Sequence, residues 1–298
     1  MQQPSETLEP NDNPTIETGF ALRTSSIETP TGPVQVSILV CEPLEKAGFV
    51  NGFSTRLGGV SPLPSNALSL AFFKGDEKEN VIENRRRFLK ALRAENAQIV
   101  SARQTHSVDR CTIESTQQAT GPQPECDAMI TKMTNVLLAV QTADCLPILI
   151  ADTNTGTVAG VHAGWRGTAG RITERTVADL MLVHGVSPRN CIAALGPAAC
   201  ADCYEVGQDV ISRYKAEFGY WRNILLDSAQ EGRAHLDING ANIQQLLFCG
   251  FAEENIYVSE YCTMHQNDLF FSYRKEAKGQ PSAVGRSLSV IGRVSPSI

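Results

Sequence analysis

The sequence predicts an α+β protein with mixed β-sheets. Three observations predict it. Residues 135–142 (NVLLAVQT) and 146–152 (LPILIAD) are near-continuous apolar runs, the pattern of strands buried on both faces. Residues 77–94 and 168–185 repeat their apolar side chains at helical spacing instead. Strand-like and helix-like segments mix along the chain with no internal repeat and no Pro- or Ser-rich linker. One domain over residues 19–298 is therefore expected behind the tail at 1–18.

In chain order, residues 1–18 are poor in apolar side chains and read as a flexible tail that cannot offset its ordering entropy. VQVSILV (34–40) reads as a strand, and the Gly/Pro/Ser-rich stretch 51–70 as a loop. In the helix at 77–94, Val81, Ile82, Phe88, Leu89 and Leu92 mark the apolar stripe, and the run Arg85–Arg86–Arg87 the solvated face. Residues 98–115 read as two strands broken at Gln104–His106. After the apolar pair comes a turn at TNTGT, a strand at 158–164 and the amphipathic helix ending at Gly185. A strand at 190–197 follows. DVISRYKAEFG and LDINGANIQQLLFCGF read as helices, the second closed by Gly250. ENIYVSEYCTM and 287–294 are strand-like.

The 298 residues are 42% hydrophobic and 19% charged with a net charge of -6, which argues against a general nucleic-acid or membrane-surface binder. Nine cysteines are an odd number in a long chain, so a disulfide scaffold is not expected. With no signal-like segment and no apolar run of about 20 residues, a soluble cytoplasmic protein with reduced thiols is expected.

The chemistry concentrates between residues 106 and 166. If the hairpin 146–163 turns at 154–155, residue 147 faces 162 and 145 faces 164. Cys145 and His162 then meet at one end of the hairpin. Alone, Cys145 reads as a small buried hydrophobe and His162 as a satisfied core histidine. Their co-location, with Asp144 before the one and GWRG after the other, weakens both readings. A Gly-X-Arg-Gly turn entering a helix suits an anion, and that brings in Arg166. His106, in ARQTHSVD, sits at another strand end. Cys145, His106 and His162 form a three-ligand set suited to zinc with a fourth position open. The same three also suit a cysteine nucleophile with a histidine base, and the pattern leaves these two open. CADC (200–203) lacks a second such pair and reads as structural. His184 reads as exposed and His235 as a loop or helix-entry residue. His265 with Cys262 is a weaker metal candidate and is set aside.

The motifs FSTRLGGVS, RQTHS, DAMIT, QTADCLPILIAD, VHAGWRGT, GPAACADCYEVG and FFSYRKE…GR, in this order from about residue 34 onward, resemble the YfiH-type proteins, formerly called laccase-domain or multicopper polyphenol oxidoreductase proteins. The resemblance implies mixed sheets sandwiched between helical layers. It also implies a zinc site at His106, Cys145 and His162. The implied activity is purine nucleoside phosphorolysis of adenosine, inosine and methylthioadenosine, with adenosine deamination as a side activity. An alternative implied role is hydrolysis of a misbuilt UDP-muramoyl–serine precursor, as an editing step in peptidoglycan synthesis. Lys275 stands where many relatives carry a second arginine, which keeps the charge but loses the planar fork of donors.

For phosphate, the guanidiniums at motif positions are Arg56, Arg103, Arg166 and Arg274, with Arg103 and Arg166 the expected holders. Asp144 and Glu205 are candidates for acid/base chemistry or for supporting the ligands. Five histidines are too few for a trinuclear copper centre, so polyphenol oxidation would come from Cu2+ at the same site of Cys145, His106 and His162. A cysteine hydrolase and a non-catalytic nucleoside-sensing module are the rival readings. The expected partners are a small-molecule nucleoside and phosphate, with no nucleic acid or membrane, in a monomer or small homo-oligomer.

Overall fold

The computed structural model describes residues 19–62, 66–72, 75–277 and 284–295; the tail expected at 1–18 lies outside them. Among the described residues the strands run β1 (Phe20–Thr29), β2 (Gly32–Cys41), β3 (Val50–Ser54), β4 (Gln98–Ser101), β5 (Arg110–Ile113), β6 (Ala128–Thr131), β7 (Val136–Thr142), β8 (Leu146–Asp152), β9 (Val158–Ala163), β10 (Cys191–Leu195), β11 (Glu205–Val206), β12 (Leu225–Asp227), β13 (Ala234–Leu236), β14 (Ile256–Val258) and β15 (Ser287–Arg293). The helices are α1 (Glu42–Lys46), α2 (Lys78–Ala91), α3 (Thr116–Thr120), α4 (Trp165–Ala169), α5 (Ile172–His184), α6 (Gln208–Glu217), α7 (Trp221–Ile224), α8 (Ile238–Phe248) and α9 (Tyr273–Glu276).

The strands form two six-stranded sheets, ordered β1-β2-β3-β15-β7-β4 and β14-β10-β8-β9-β6-β5, and a small third sheet, β11-β13-β12. Both large sheets are mixed, with parallel pairs β4–β7, β5–β6 and β10–β14. Leu39, Phe53, Leu138 and Ile291 of the first sheet pack against Leu149, Ala151, Val158 and Ala194 of the second. On the outer face of the second sheet, Ile148 and Val161 meet Ile172, Val177 and Leu180 of α5 and Leu246 of α8. On the outer face of the first, Val290 and Leu137 meet Phe88 of α2. The result is the α+β sandwich of two mixed sheets between helical layers. β7 and β8 are apolar over Val136–Val140 and Leu146–Ala151 because each is covered on both faces there, and each such Leu or Ile stabilises by about 1.5–3 kcal/mol.

The hairpin β8–β9 has the expected register, with Pro147 opposite His162 and Leu146 opposite Ala163. Gly185 closes α5 with φ of +66°, a left-handed C-cap. Five expectations are corrected. The loop assigned to 51–70 begins with β3, whose side chains are buried with no alternation for the pattern to register. Residues 168–185 are interrupted at Arg171, which has φ of +61° and separates α4 from α5. In α2, Ile82 is exposed whereas Arg87 is buried, its Nη1 donating to the carbonyls of Gly58 and Gly59. His184 is half-buried beside Thr112, and His235 lies within β13.

Candidate active site

The two large sheets deliver their loops to one cleft of about 680 Å³. Cys145 enters it from the turn between β7 and β8, His162 from β9, and His106 from the loop between β4 and β5. Their ligating atoms lie within 4.8 Å of one another, with Cys145 Sγ 3.8 Å from His106 Nε2. The two imidazoles meet edge to face at 4.9 Å between centroids. Gly164 leaves them room, since a Cβ there would stand 3.1 Å from His106 Cδ2 and 3.2 Å from Cys145 Sγ.

Asp127, just before β6, organises the cluster. Its carboxylate lies 2.8 Å from His162 Nδ1 and accepts from the backbone N–H groups of Thr105, His106 and Ser107 and from the Ser107 hydroxyl. A carboxylate only accepts, so in the neutral ring Nδ1 carries the proton and Nε2 is the nitrogen with a lone pair for the cleft. Burial opposes the Asp127 charge, but the bonds from His162 and Ser107 prevail and hold it well below the ordinary carboxylate range. Burial likewise opposes a Cys145 thiolate. The His162 charge and the hydrogen bonds from both histidines outweigh it and bring the thiol down to about 6. Burial would lower His162, but Cys145 and Asp127 raise it to about 9. The protein without metal therefore favours a thiolate–imidazolium pair.

The backbone is strained on both sides of the cluster. His106 has φ of +60° and Asp144 φ of +90°, values uncommon outside glycine. Asp144 is held by its carbonyl, which accepts from Ala199 N, and by its carboxylate, which accepts from Thr263 Oγ1 and Arg274 N at 2.7 Å each. Asp144 thus lines the cleft as a clamp between loops, with both oxygens engaged.

The expected cations divide. Arg103 and Arg274 line the cleft. Arg103 is exposed and paired with Glu125 at 3.0 Å, and Arg274 stacks over Tyr204 and donates to the Glu205 carbonyl. Arg56 does not line it. Its guanidinium is buried against Phe271, donating to Glu276 and the Asn267 carbonyl, because its strand end turns toward the C-terminal loop. Arg166 sits inside the five-residue helix α4 and stacks at 4.2 Å on Trp165, exposed and outside the cleft lining. The Glu205 side chain turns to Ser228 and Arg233 instead of the cleft. Two groups escaped the sequence reading: Asp127, visible only as the first residue of DAMIT, and Arg286, which lines the cleft 5.7 Å from the Tyr273 ring centroid.

A family described as multi-copper polyphenol oxidoreductase laccase matches residues 50–294. The chain belongs to that family. It is 40% identical over 243 residues to the purine nucleoside phosphorylase of Deinococcus radiodurans, covering 81% of this chain and 88% of that one. It is 33% identical over 245 residues to adenosine deaminase RL5 from an unknown prokaryotic organism, covering 78% and 93%. The crystal structure of YlmD from Geobacillus stearothermophilus superposes with a TM-score of 0.79 at 32% identity, covering 87% of this chain and 96% of that one. Family and fold thus match the YfiH-type resemblance. Among the described residues, no helix is long and apolar enough to cross a membrane.

Proposed function

We propose that the cleft catalyses purine nucleoside phosphorolysis, with adenosine, inosine and methylthioadenosine as substrates and adenosine deamination as a side activity. The observation that carries the reading is a three-ligand Cys/His cluster at a cleft lined by both aromatic rings and guanidiniums. Relatives named for phosphorolysis and for deamination support it.

The donor set fits zinc. One thiolate and two imidazoles leave a fourth position, which is the pattern of a catalytic rather than a structural site. Asp127 supplies the carboxylate partner that a ligating histidine requires. Cu2+ suits the same ligands. An ion held by His106, Cys145 and His162 supplies Lewis acidity toward a substrate oxygen or nitrogen. The chain's own groups do the rest. Phe72, Trp165, Tyr204 and Tyr273 offer rings for a purine, and Arg103, Arg274 and Arg286 offer cations for phosphate. In phosphorolysis a phosphate oxygen bonds C1′, and the purine leaves with the electron pair of the C1′–N9 bond and takes up a proton.

A second reading has one observation in its favour. Cys145, His162 and Asp127 also have the order of nucleophile, base and orienting carboxylate used by thiol hydrolases. Hydrolysis of a muramoyl-peptide precursor belongs to it.

The test incubates purified protein of known metal content with adenosine, with and without phosphate, beside Cys145→Ala. Phosphate-dependent release of adenine, lost in the variant, is expected. Equal release by Cys145→Ala, or none by the wild type, would overturn the reading.

A further inference from the structure

A second cluster lies outside this chemistry. Cys200, Cys203, Cys262 and His265 bring their ligating atoms within 4.8 Å of one another. Read along the sequence, CADC has no matching pair. The fold supplies one, because β10 and β14 are parallel neighbours and release their following loops at the same end of the sheet. Ala198 bridges to Cys262, and Thr263 N donates to the Ala198 carbonyl, so the two loops run side by side.

Each loop presents its two donors from the ends of a tight turn. Cys203 N and Tyr204 N both donate to the Cys200 carbonyl, closing the first turn. In the second, Gln266 N donates to the Cys262 carbonyl while Cys262 N donates to Gln266 Oε1. The donors then face one another across the loops. Cys203 Sγ is 3.1 Å from one ring nitrogen of His265, and Cys200 Sγ is 3.8 Å from the other. Cys200 N donates to Cys262 Sγ at 3.3 Å, which orients that sulfur toward the other donors. Sulfurs bound tetrahedrally to zinc at about 2.3 Å stand about 3.8 Å apart, so these donors need only small shifts to meet that geometry.

We propose that Cys200, Cys203, Cys262 and His265 form a second metal site, a closed Cys₃His site for a structural zinc ion that ties the loop after β10 to the loop after β14. Four protein ligands leave no open position, unlike the three at the cleft. The tie reaches the cleft through sequence neighbours. Tyr204, beside Cys203, lines it, and Thr263, beside Cys262, donates to Asp144. This site holds the walls of the cleft and takes no part in turnover.

The experiment uses the full chain purified with reductant and without chelator. Zinc is measured by emission spectrometry in the wild type, in the triple variant H106A/C145A/H162A, and in C203S/H265A. The expected result is about two zinc ions per chain in the wild type and about one in each variant. Zinc-edge X-ray absorption of the triple variant should show three sulfurs and one nitrogen, a readout that stands even if C203S/H265A fails to fold. Thiol titration of the triple variant should find all eight remaining cysteines reduced, nine less Cys145. A triple variant free of zinc with eight free thiols overturns the proposal, as does a thiol count short by two, which would mean a disulfide within the cluster. Neither result touches the purine reading, which fails separately if the wild type releases no adenine.

Discussion

Asp127 decides the orientation of His162 while also fixing the turn that carries His106, so one carboxylate aligns two of the three ligands. Replacing Asp127 by Asn keeps the shape but removes the charge that holds the Nδ1 proton. Zinc affinity at the cleft should fall about 10–100-fold with the circular dichroism unchanged, measured by competition with a chromogenic chelator. An unchanged affinity would mean that the cluster is oriented without it. The cations divide by what already occupies them. Arg286→Ala should raise the KM for phosphate about tenfold or more, because that guanidinium lines the cleft, whereas Arg166→Ala should leave it unchanged. Initial rates against phosphate concentration check both; equal effects would contradict the assignment. The convergence of Cys145, His106 and His162 was legible in the sequence, because a thiol and two imidazoles at strand ends are rare and chemically specific. Asp127 was not, since a single aspartate before a strand has no pattern of its own. The placement of Arg56 was not legible, because its motif position says nothing of Glu276, which the fold brings against it.

At the scale of elements, the hairpin β8–β9 was legible down to its register, because a short turn and two apolar strands leave one alignment that buries both. Helix α2 was legible as a helix but not in its faces. Its arginine run looks solvated, yet Arg87 serves as a buried clamp on Gly58 and Gly59, and Glu83 ties it to Arg86. The bond from Arg86, against a smaller burial cost and helped by Arg87, holds Glu83 at about 2. A lowered carboxylate pKa stabilises the fold above the unfolded value of about 4.3, and the contribution is lost as pH falls toward 2. Glu83→Gln should therefore lower Tm by about 1–2 °C at pH 6, with the gap narrowing as pH falls from about 4 to about 2. A gap that persists in acid would assign the effect to packing instead of charge. The cluster at Cys200 and Cys262 was illegible for a related reason: its halves lie on loops about 60 residues apart, joined only by a parallel strand pair.

At the scale of the molecule, the sequence showed alternating strands and helices but not which sheet each strand joins. β1 and the three-stranded sheet went unread, because their polar, half-exposed strands carry little hydrophobic periodicity. The two large sheets bring β7, β8, β9 and the β4–β5 loop to one end, where His106, Cys145 and His162, separated by up to 56 residues, converge. In the proposed function, this convergence is an open metal site for purine nucleoside chemistry. The measurement that tests it most directly is the rate of adenine release by chelator-stripped protein as zinc is added back at saturating adenosine and phosphate. Negligible release without zinc, a saturable recovery on its return, and protection of Cys145 from alkylation over the same range of zinc are expected. Full phosphorolysis by the stripped protein, with Cys145 alkylated as readily in zinc as without it, would contradict the claim.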